Sequence, residues 1–434
     1  MKNVIDIKQS VTALHSRAQQ LFDDLRNGSS DHGVGGVTRD SYGPGEQFAH
    51  DLVARHALFI GLEVRHDDAC NTYMVWPGRD REASAIVIGS HLDSVAGGGN
   101  FDGAAGVVSG LIAVDVLQAA GFKPQCDVVV MAVRAEESAW FHVSYIGSRA
   151  ALGCLPDGAL EARRSDTGRT LEDHIRCAGG NPDELRRGVV GLTKDRVKVF
   201  LEVHIEQAPS LAQSKYAIGV GTGIPGNFRF PEARIIGEYG HVGLPRRFRH
   251  DAALAGADLA VALDAVWAEW DAAGRAMAFT IGEFHTDAAR HAMTKVAGEF
   301  AFSLDVRAYE KDDLEELSER LLQIVFDIER QRGVRFELGR RTSADVAKAD
   351  AQLMLELEAC ARRLEIPAMR LASPASHDAA AFFAAGIPFG MLFIRNPNGS
   401  HHPDEEMDTG DFLLATAVLA DWLVTEICTQ DRPV

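Results

Sequence analysis

The strongest constraint on the fold is a set of short apolar runs that each end in glycine or charge. The runs have the length and β-branched content of buried strands, and they are ASAIVIGS (83–90), CDVVVMAVRA (126–135), RVKVFLEVHI (196–205) and IPFGMLFIRN (387–396). Helical segments of small and aliphatic residues alternate with them, such as GAAGVVSGLIAVDVLQAAG (103–121). This alternation predicts an α/β fold with a mixed, mostly parallel sheet and helices on both faces.

The middle of the chain has a different pattern. Residues 214–331 contain three strand-like stretches and two long helices, an order typical of a separate α+β domain. We therefore predict a first domain built from residues 1–213 and 332–434, with a smaller domain, 214–331, inserted into it. Residues 1–25 read as one amphipathic helix.

Composition excludes several kinds of partner. The formal net charge is -18, which argues against binding to nucleic acid or to an anionic membrane surface. The N-terminus lacks the pattern of a secretory signal, and no apolar run approaches the length of a membrane span. The six cysteines form no CxxC pair, so we expect reduced thiols in a cytoplasmic protein.

Polar side chains follow the apolar runs at the points where the strands end. Ligands of open α/β sheets bind outside the carboxyl ends of the strands, so these side chains should converge. They are His91, Asp93, Asp102, Glu136, Glu137, His204 and His401. Imidazole and carboxylate groups are the usual ligands of zinc and manganese, and Asp93 could accept the second N–H of His91. Taken singly, each cluster is more often solvated surface, but four clusters at four strand ends favour a metal site that holds one or two divalent ions.

Longer motifs resemble a known family. GSHLDSV, GGGNFDGAAGV, EESAWF, EVHIEQAPSL, GEYGHVGLP, FSLDVRA, SHDAAAF and SHHPDEEM occur in this order between about residues 45 and 410. They resemble the amidase/hydantoinase/carbamoylase branch of the dinuclear metallopeptidases, which includes N-carbamoyl-L-amino-acid hydrolases, β-ureidopropionases and allantoate amidohydrolases. The resemblance implies a phosphorylase/hydrolase-like catalytic domain with an inserted dimerisation (lid) domain. It also implies a hydrolase of non-peptide C–N bonds in small carboxylate-bearing molecules.

The resemblance implies a set of metal ligands. One ion would be bound by His91 and His204, the other by Glu137 and His401, and Asp102 would bridge them. Zinc or manganese is favoured, and cobalt or nickel also suits such ligands.

The remaining roles concern catalysis and substrate. Glu136 would be the general base that takes a proton from water at the metal. His241 of the inserted domain would reach the partner subunit's site and stabilise the oxyanion, so the working unit would be a homodimer or a higher homo-oligomer. Arg307 would bind the substrate carboxylate, while Gln207 and His377 would line the pocket.

Several positions depart from the family pattern, and they lie around the substrate rather than the metals. They are Trp140, His142, Ala208, Thr294 and the loop arginines Arg246, Arg247 and Arg249. Either Trp140 packs in the core of an ordinary carbamoylase, or it stacks on an aromatic substrate whose acid group the arginines hold. The second alternative is hydrolytic deamination of an aromatic amine, as in 5-nitroanthranilate aminohydrolase. A third is a non-catalytic binding protein, which the complete set of predicted ligands disfavours.

Overall fold

The computed structural model describes residues 6–29, 33 and 35–429 and divides the chain into two compact units. The larger unit comprises Met1–Gly223 and Lys348–Val434, and the smaller comprises Ile224–Ala347. The predicted limits of the inserted segment, 214 and 331, both lie too early. The strand at Ile218–Gly221 belongs to the large sheet, and the strands at Arg335–Glu337 and Thr342–Ala344 pair within the small one.

The larger unit is built on an eight-stranded sheet with the strand order β1-β2-β4-β3-β5-β18-β6-β17. With elements numbered in chain order, its strands are β1 (Glu63–His66), β2 (Thr72–Trp76), β3 (Ala85–His91), β4 (Val128–Val133), β5 (Val197–Ile205), β6 (Ile218–Gly221), β17 (Ala368–Leu371) and β18 (Phe389–Ile394). The four neighbours β4, β3, β5 and β18 run parallel. Their β-branched and aromatic side chains are buried on both faces, as expected of strands covered by helices.

Twelve helices belong to this unit within the described residues. They are α1 (Ile7–Thr12), α2 (His15–Asn27), α3 (Pro44–Phe59), α4 (Ala104–Ala119), α5 (Ser138–Phe141), α6 (Ile146–Ala151), α7 (Leu171–Cys177), α8 (Pro182–Arg186), α9 (Ser210–Ser214), α12 (Ala351–Arg363), α13 (Ala379–Ala384) and α14 (Thr409–Thr429). The core is centred on α4, whose small and aliphatic residues are almost all buried against the sheet and α14. The predicted mixed α/β architecture is confirmed.

The predicted helix over residues 1–25 is wrong in one respect, since the chain forms two helices there. α1 ends at Thr12, whose hydroxyl bonds back to the Lys8 carbonyl oxygen at 2.8 Å, and a turn at Ala13–Leu14 separates it from α2. Residues 1–5 lie outside the described residues.

The smaller unit packs two long helices on one face of an antiparallel sheet. The helices are α10 (Ala252–Ala272) and α11 (Lys311–Arg332), and a 3-10 turn spans Arg246–Phe248. The sheet strands are β8 (Gly226–Ile236), β10 (Met277–Thr280), β11 (Phe284–Thr286), β13 (Glu299–Ala308), β14 (Arg335–Glu337) and β15 (Thr342–Ala344), and two short strand pairs are β9 (Gly240–His241) with β12 (Lys295–Val296) and β7 (Gly223–Ile224) with β16 (Ala347–Lys348). Along β13 buried residues alternate with half-exposed ones, so the sheet has one apolar face against the helices and one polar face.

Candidate metal centre

The predicted ligands of the larger unit meet at one edge of its sheet. His91 is the last residue of β3, His204 lies near the end of β5, Glu137 follows β4, and His401 follows β18. Because these four strands are parallel neighbours, their carboxyl ends share that edge. Asp102 reaches it from the glycine-rich loop between β3 and α4.

Two groups of possible ligand atoms share Asp102. In each group the atoms lie within 4.8 Å of one another. In the buried group, His204 Nε2 is 3.0 Å and His91 Nε2 is 3.5 Å from Asp102 Oδ1. In the second group, His401 Nε2 is 3.4 Å from Asp102 Oδ2 and 3.0 Å from Glu137 Oε1. The two oxygens of Asp102 therefore face different groups, which is the arrangement of a bridging carboxylate.

The two groups differ in access to solvent. His91 and His204 are buried, whereas the His401 side chain is 48% exposed and its backbone has a φ of 60°, a conformation that a histidine rarely adopts. Local strain of this kind often accompanies functional sites. The first group is thus enclosed, and the second opens to solvent.

A third group comprises Glu202, His204 and His377. Glu202 already accepts hydrogen bonds from Ser90 Oγ at 2.8 Å and from the Ala379 amide at 2.9 Å. His377 Nε2 lies 2.6 Å from the Ser373 hydroxyl. These partners make the third group a weaker candidate for an ion than the two that share Asp102.

The tautomers of the two buried histidines suit metal binding. His204 Nδ1 lies 2.9 Å from the Ile205 carbonyl oxygen, and His91 Nδ1 lies 3.0 Å from the Asp93 carbonyl oxygen. Both contacts leave Nε2 directed at Asp102. The Asp93 carboxylate is farther from His91, at 3.4 Å, so the backbone oxygen of Asp93 is the nearer acceptor.

The donor set fits divalent cations. Asp102 Oδ1 is buried, and it faces His204 Nε2 at 3.0 Å and His91 Nε2 at 3.5 Å. The three imidazoles and two carboxylates of the two groups match zinc, manganese and their neighbours. Gly103 also supports the fit, because a Cβ there would lie 2.6 Å from the His91 ring. Its φ of 66° is a second reason for glycine.

The charges of the site shift its pKa values. Burial alone would raise the pKa of Asp102, but His204 and His91 hold that pKa well below its ordinary value. Burial opposes the charged form of His401, yet Glu137 and Asp102 raise its pKa to about 9. Burial, with the charges of Glu137 and Asp378, raises the pKa of Glu136 well above its ordinary value. Such a site gains from a bound cation, which would replace protons in balancing its carboxylates.

The turn that presents Glu136 and Glu137 is held by Asp93. The backbone N–H of Glu136 donates to Asp93 Oδ1 at 3.0 Å, and that of Glu137 donates to Oδ2 at 3.2 Å. Ser41 Oγ donates to Oδ2 at 2.5 Å. The preceding Ala135 has a φ of 51°, a strained conformation for alanine. The hydrogen bonds to Asp93 hold the turn in this conformation.

A second carboxylate that sequence reasoning missed supports the same turn. Glu46 of α3 is fully buried and accepts the Ala135 N–H at 2.8 Å. It also pairs with Arg134 Nη1 at 3.1 Å. Residue spacing carries no signal for this contact, since Glu46 lies far from the turn in sequence.

The predicted substrate residues of the larger unit take two different positions. Gln207 Nε2 donates to Asp102 Oδ2 at 3.0 Å, so Gln207 belongs to the site. Trp140 is buried; its indole N–H donates to the Ser94 carbonyl oxygen at 2.8 Å, and the Arg164 guanidinium lies 4.9 Å from its ring centroid. This position favours the packing alternative for Trp140 over stacking on a substrate.

The other two predicted residues lie in the smaller unit. His241 ends β9 and is exposed, and its Nδ1 accepts the Gly243 N–H at 3.1 Å. Arg307, on the polar face of β13, lies beside Asp305 with Nε 3.1 Å from Oδ1. In the loop after His241, Arg249 Nε donates to the Leu244 carbonyl oxygen at 2.7 Å. Arg249 therefore stabilises its own loop.

Within residues 6–29, 33 and 35–429, no helix combines the length and apolar character needed to cross a membrane.

Comparisons with known proteins identify the family. The model of peptidase family M20/M25/M40 matches residues 87–425. An N-carbamoyl-L-amino acid amidohydrolase of Geobacillus stearothermophilus is 31% identical over 89% of this chain and 92% of its own. A ureidoglycolate hydrolase of Oryza sativa subsp. japonica is 30% identical over 93% of this chain and 82% of its own. A hydantoinase/carbamoylase family amidase from Burkholderia ambifaria has a solved structure with a TM-score of 0.79 and 26% identity, over 95% of this chain and 97% of that one.

The chain is a metal-dependent hydrolase of carbon–nitrogen bonds. It belongs to peptidase family M20/M25/M40, and the predicted resemblance to the carbamoylase branch is confirmed.

Proposed function

We propose that the protein hydrolyses a non-peptide C–N bond in a small carboxylate-bearing molecule of the N-carbamoyl or ureido acid class. One observation carries the proposal: Asp102 offers its two oxygens to two separate groups of histidine and carboxylate ligands. Relatives named as carbamoyl amino acid and ureidoglycolate hydrolases support this substrate class.

The proposed ligands are those of the two groups. His91 and His204 would hold one ion, Glu137 and His401 the other, and Asp102 would contact both. Zinc or manganese suits this donor set best, and cobalt or nickel would also bind. When bound, the ions supply polarisation of the attacked group and a lowered pKa of water.

Glu136 is the proposed general base. It is buried beside Glu137, and its carboxyl group has a raised pKa, as a group that must both take and release a proton requires. Glu136 would take a proton from the attacking water and deliver it to the leaving nitrogen. Gln207 and His377 would line the pocket and orient the substrate.

His241 and Arg307 are proposed to act from the smaller unit. An arginine fork suits a carboxylate better than lysine does, so Arg307 would bind the acid group of the substrate. His241 would stabilise the developing oxyanion in the site of a partner subunit, which makes a homodimer or a higher homo-oligomer the working unit. Both roles are supported by the family resemblance.

We also propose a cytoplasmic location. The cysteines with described side chains, at positions 70, 126, 154, 177 and 360, form no disulfide with one another. This is the state expected in a reducing compartment.

The aromatic-amine alternative has lost one of its two supports. The burial of Trp140 leaves no stacking surface, whereas Arg246 and Arg247 are exposed and make no ion pair among the described residues. These two arginines are therefore available to bind an additional acid group on the substrate.

The test is ammonia release by the metal-loaded protein, with the organic product identified by mass. The substrates are N-carbamoyl amino acids, ureidoglycolate, allantoate, N-acetyl amino acids and 2-aminobenzoates with and without a nitro group. Turnover of a carbamoyl or ureido compound that is lost in Glu136→Gln, with metal content unchanged, supports the proposal. Turnover of aminobenzoates alone would replace it with the aromatic alternative.

A further inference from the structure

A buried carboxylate lies behind both ligand groups and has no role in the proposed chemistry. Glu405 follows His401 by four residues and is 5% exposed. Among the described residues, no lysine or arginine lies within ion-pair distance of it, so its partners are hydrogen-bond donors. A buried carboxylate is costly unless its contacts do something that an apolar residue could not.

The contacts of Glu405 tie two loops together. Its Oε1 accepts the backbone N–H of Phe101 at 2.7 Å and that of Asp102 at 3.2 Å. Its Oε2 lies 3.2 Å from Ser400 Oγ, whose single proton can be donated either to this carboxylate or to Asp102 Oδ2. Glu405 thus joins the loop that carries Asp102 to the segment that carries His401.

Gly99 provides the room for this carboxylate. A Cβ at Gly99 would lie 2.0 Å from Glu405 Cδ and 2.3 Å from Glu405 Cβ. The backbone of Gly99 is not in the left-handed region, so space, and not conformation, requires glycine here. The glycine-rich loop and the Glu405 side chain therefore pack directly against each other.

We propose that Glu405 is a positioning residue: it fixes the backbone of Asp102 and, through Ser400, the His401 segment, so that Asp102 faces both ligand groups. The inference rests on the proposed metal role of Asp102 and His401. The hydrogen bonds of this side chain, and not its charge, are what metal binding requires, because a glutamine could accept the same two N–H groups through Oε1. Its amide would donate to Ser400, whose hydroxyl would still reach Asp102.

The experiment measures binding of Zn²⁺ and of Mn²⁺, each alone, to the full-length metal-free protein by competition with a chelator. Glu405→Gln should bind within about threefold of the wild type, whereas Glu405→Ala should bind about 10–100-fold more weakly. Gly99→Ala leaves the carboxylate in the chain but displaces it, so it should weaken binding in the same way. Asp350→Ala, which removes the N-cap of α12, is the control for a loss of stability that leaves affinity unchanged.

The outcomes separate this inference from the proposed function. Wild-type affinity in both Glu405→Ala and Gly99→Ala would overturn it, and so would equal weakening in Glu405→Gln and Glu405→Ala, since charge would then be the active property. If Glu405→Ala does not fold, the affinities of Gly99→Ala and Glu405→Gln still test the inference: it requires weaker binding in Gly99→Ala and near wild-type binding in Glu405→Gln. A wild-type protein that binds neither ion would instead overturn the proposed metal centre itself.

Discussion

Replacing Asp93 by asparagine tests how the Glu136–Glu137 turn is held. The carboxylate is fully buried and accepts three hydrogen bonds, from the amides of Glu136 and Glu137 and from Ser41 Oγ. Asparagine has nearly the same shape but only one accepting oxygen. If the asparagine oxygen takes the Oδ1 position, the Glu136 amide keeps its acceptor, and the Ser41 hydroxyl can rotate to accept a hydrogen bond from the new NH₂ group. The Glu137 amide then faces that NH₂ group and has no acceptor. In the opposite orientation, the Glu136 amide is the one that loses its acceptor.

The magnitude follows from this count. One buried backbone N–H without an acceptor costs about 1–3 kcal/mol, and changing the remaining bond from charge-assisted to neutral adds about 1 kcal/mol. We expect the free energy of unfolding to fall by about 2–4 kcal/mol. Turnover should fall by about 10–100-fold, because Glu136 and Glu137 lose their fixed position.

The assay is urea denaturation of the metal-free protein, together with the rate of ammonia release by the loaded protein. Asp350→Asn is the matched control, since asparagine caps a helix as well as aspartate does and α12 should keep its stability. A loss below about 0.5 kcal/mol in Asp93→Asn, similar to that of the control, would refute the argument that Asp93 holds the turn.

Three further predictions concern packing, pH and metal content. Trp140→Phe should cost about 1 kcal/mol for the lost indole hydrogen bond and leave KM within about threefold, while a large rise in KM would restore a substrate role. The free energy of unfolding of the metal-free protein should fall between pH 7 and 9. The reason is that Asp378, with a pKa of about 8, and His401, with a pKa of about 9, bind more protons in the folded than in the unfolded state over this range. Thermal unfolding across this range measures the fall, which added metal should reduce, and stability that rises with pH would contradict it. His401→Ala should retain one ion per subunit by elemental analysis after dialysis, since the group of His91 stays complete; loss of all metal would contradict separate sites.

The strands that carry the proposed metal ligands were predictable from sequence. A buried parallel strand is a short apolar run, and ligands of such sheets bind at the carboxyl ends of the strands, so the pattern predicted that His91, His204 and His401 lie close together. Because these strands are parallel, side chains that follow their carboxyl ends lie at the same edge of the sheet.

The supports of the site were not predictable, because their partners are distant in sequence. Glu46 and Glu405 act through backbone amides around residues 135 and 101–102, and backbone amides leave no trace in a residue pattern. The limits of the inserted segment failed for the same reason: the short strand Arg335–Glu337 pairs with β8, a partner far along the chain. The sequence likewise left both alternatives for Trp140 open, because its indole contacts Ser94, a residue 46 positions away in the chain.

The place of β18 between β5 and β6 has a consequence for biosynthesis. β5 and β6 precede the Ile224–Ala347 unit in the chain, whereas β18 follows it, and β18 is parallel to β5 and antiparallel to β6. In a chain that has emerged only to residue 347, β6 therefore lacks both of its sheet neighbours, β17 and β18, and the segment that carries His401 is absent. Adding β18 beside β5 joins segments of high sequence separation, a slow kind of step in folding. If His401 is a metal ligand as proposed, the metal centre is complete only after this C-terminal segment has folded, so we expect a partly made chain to lack hydrolytic activity.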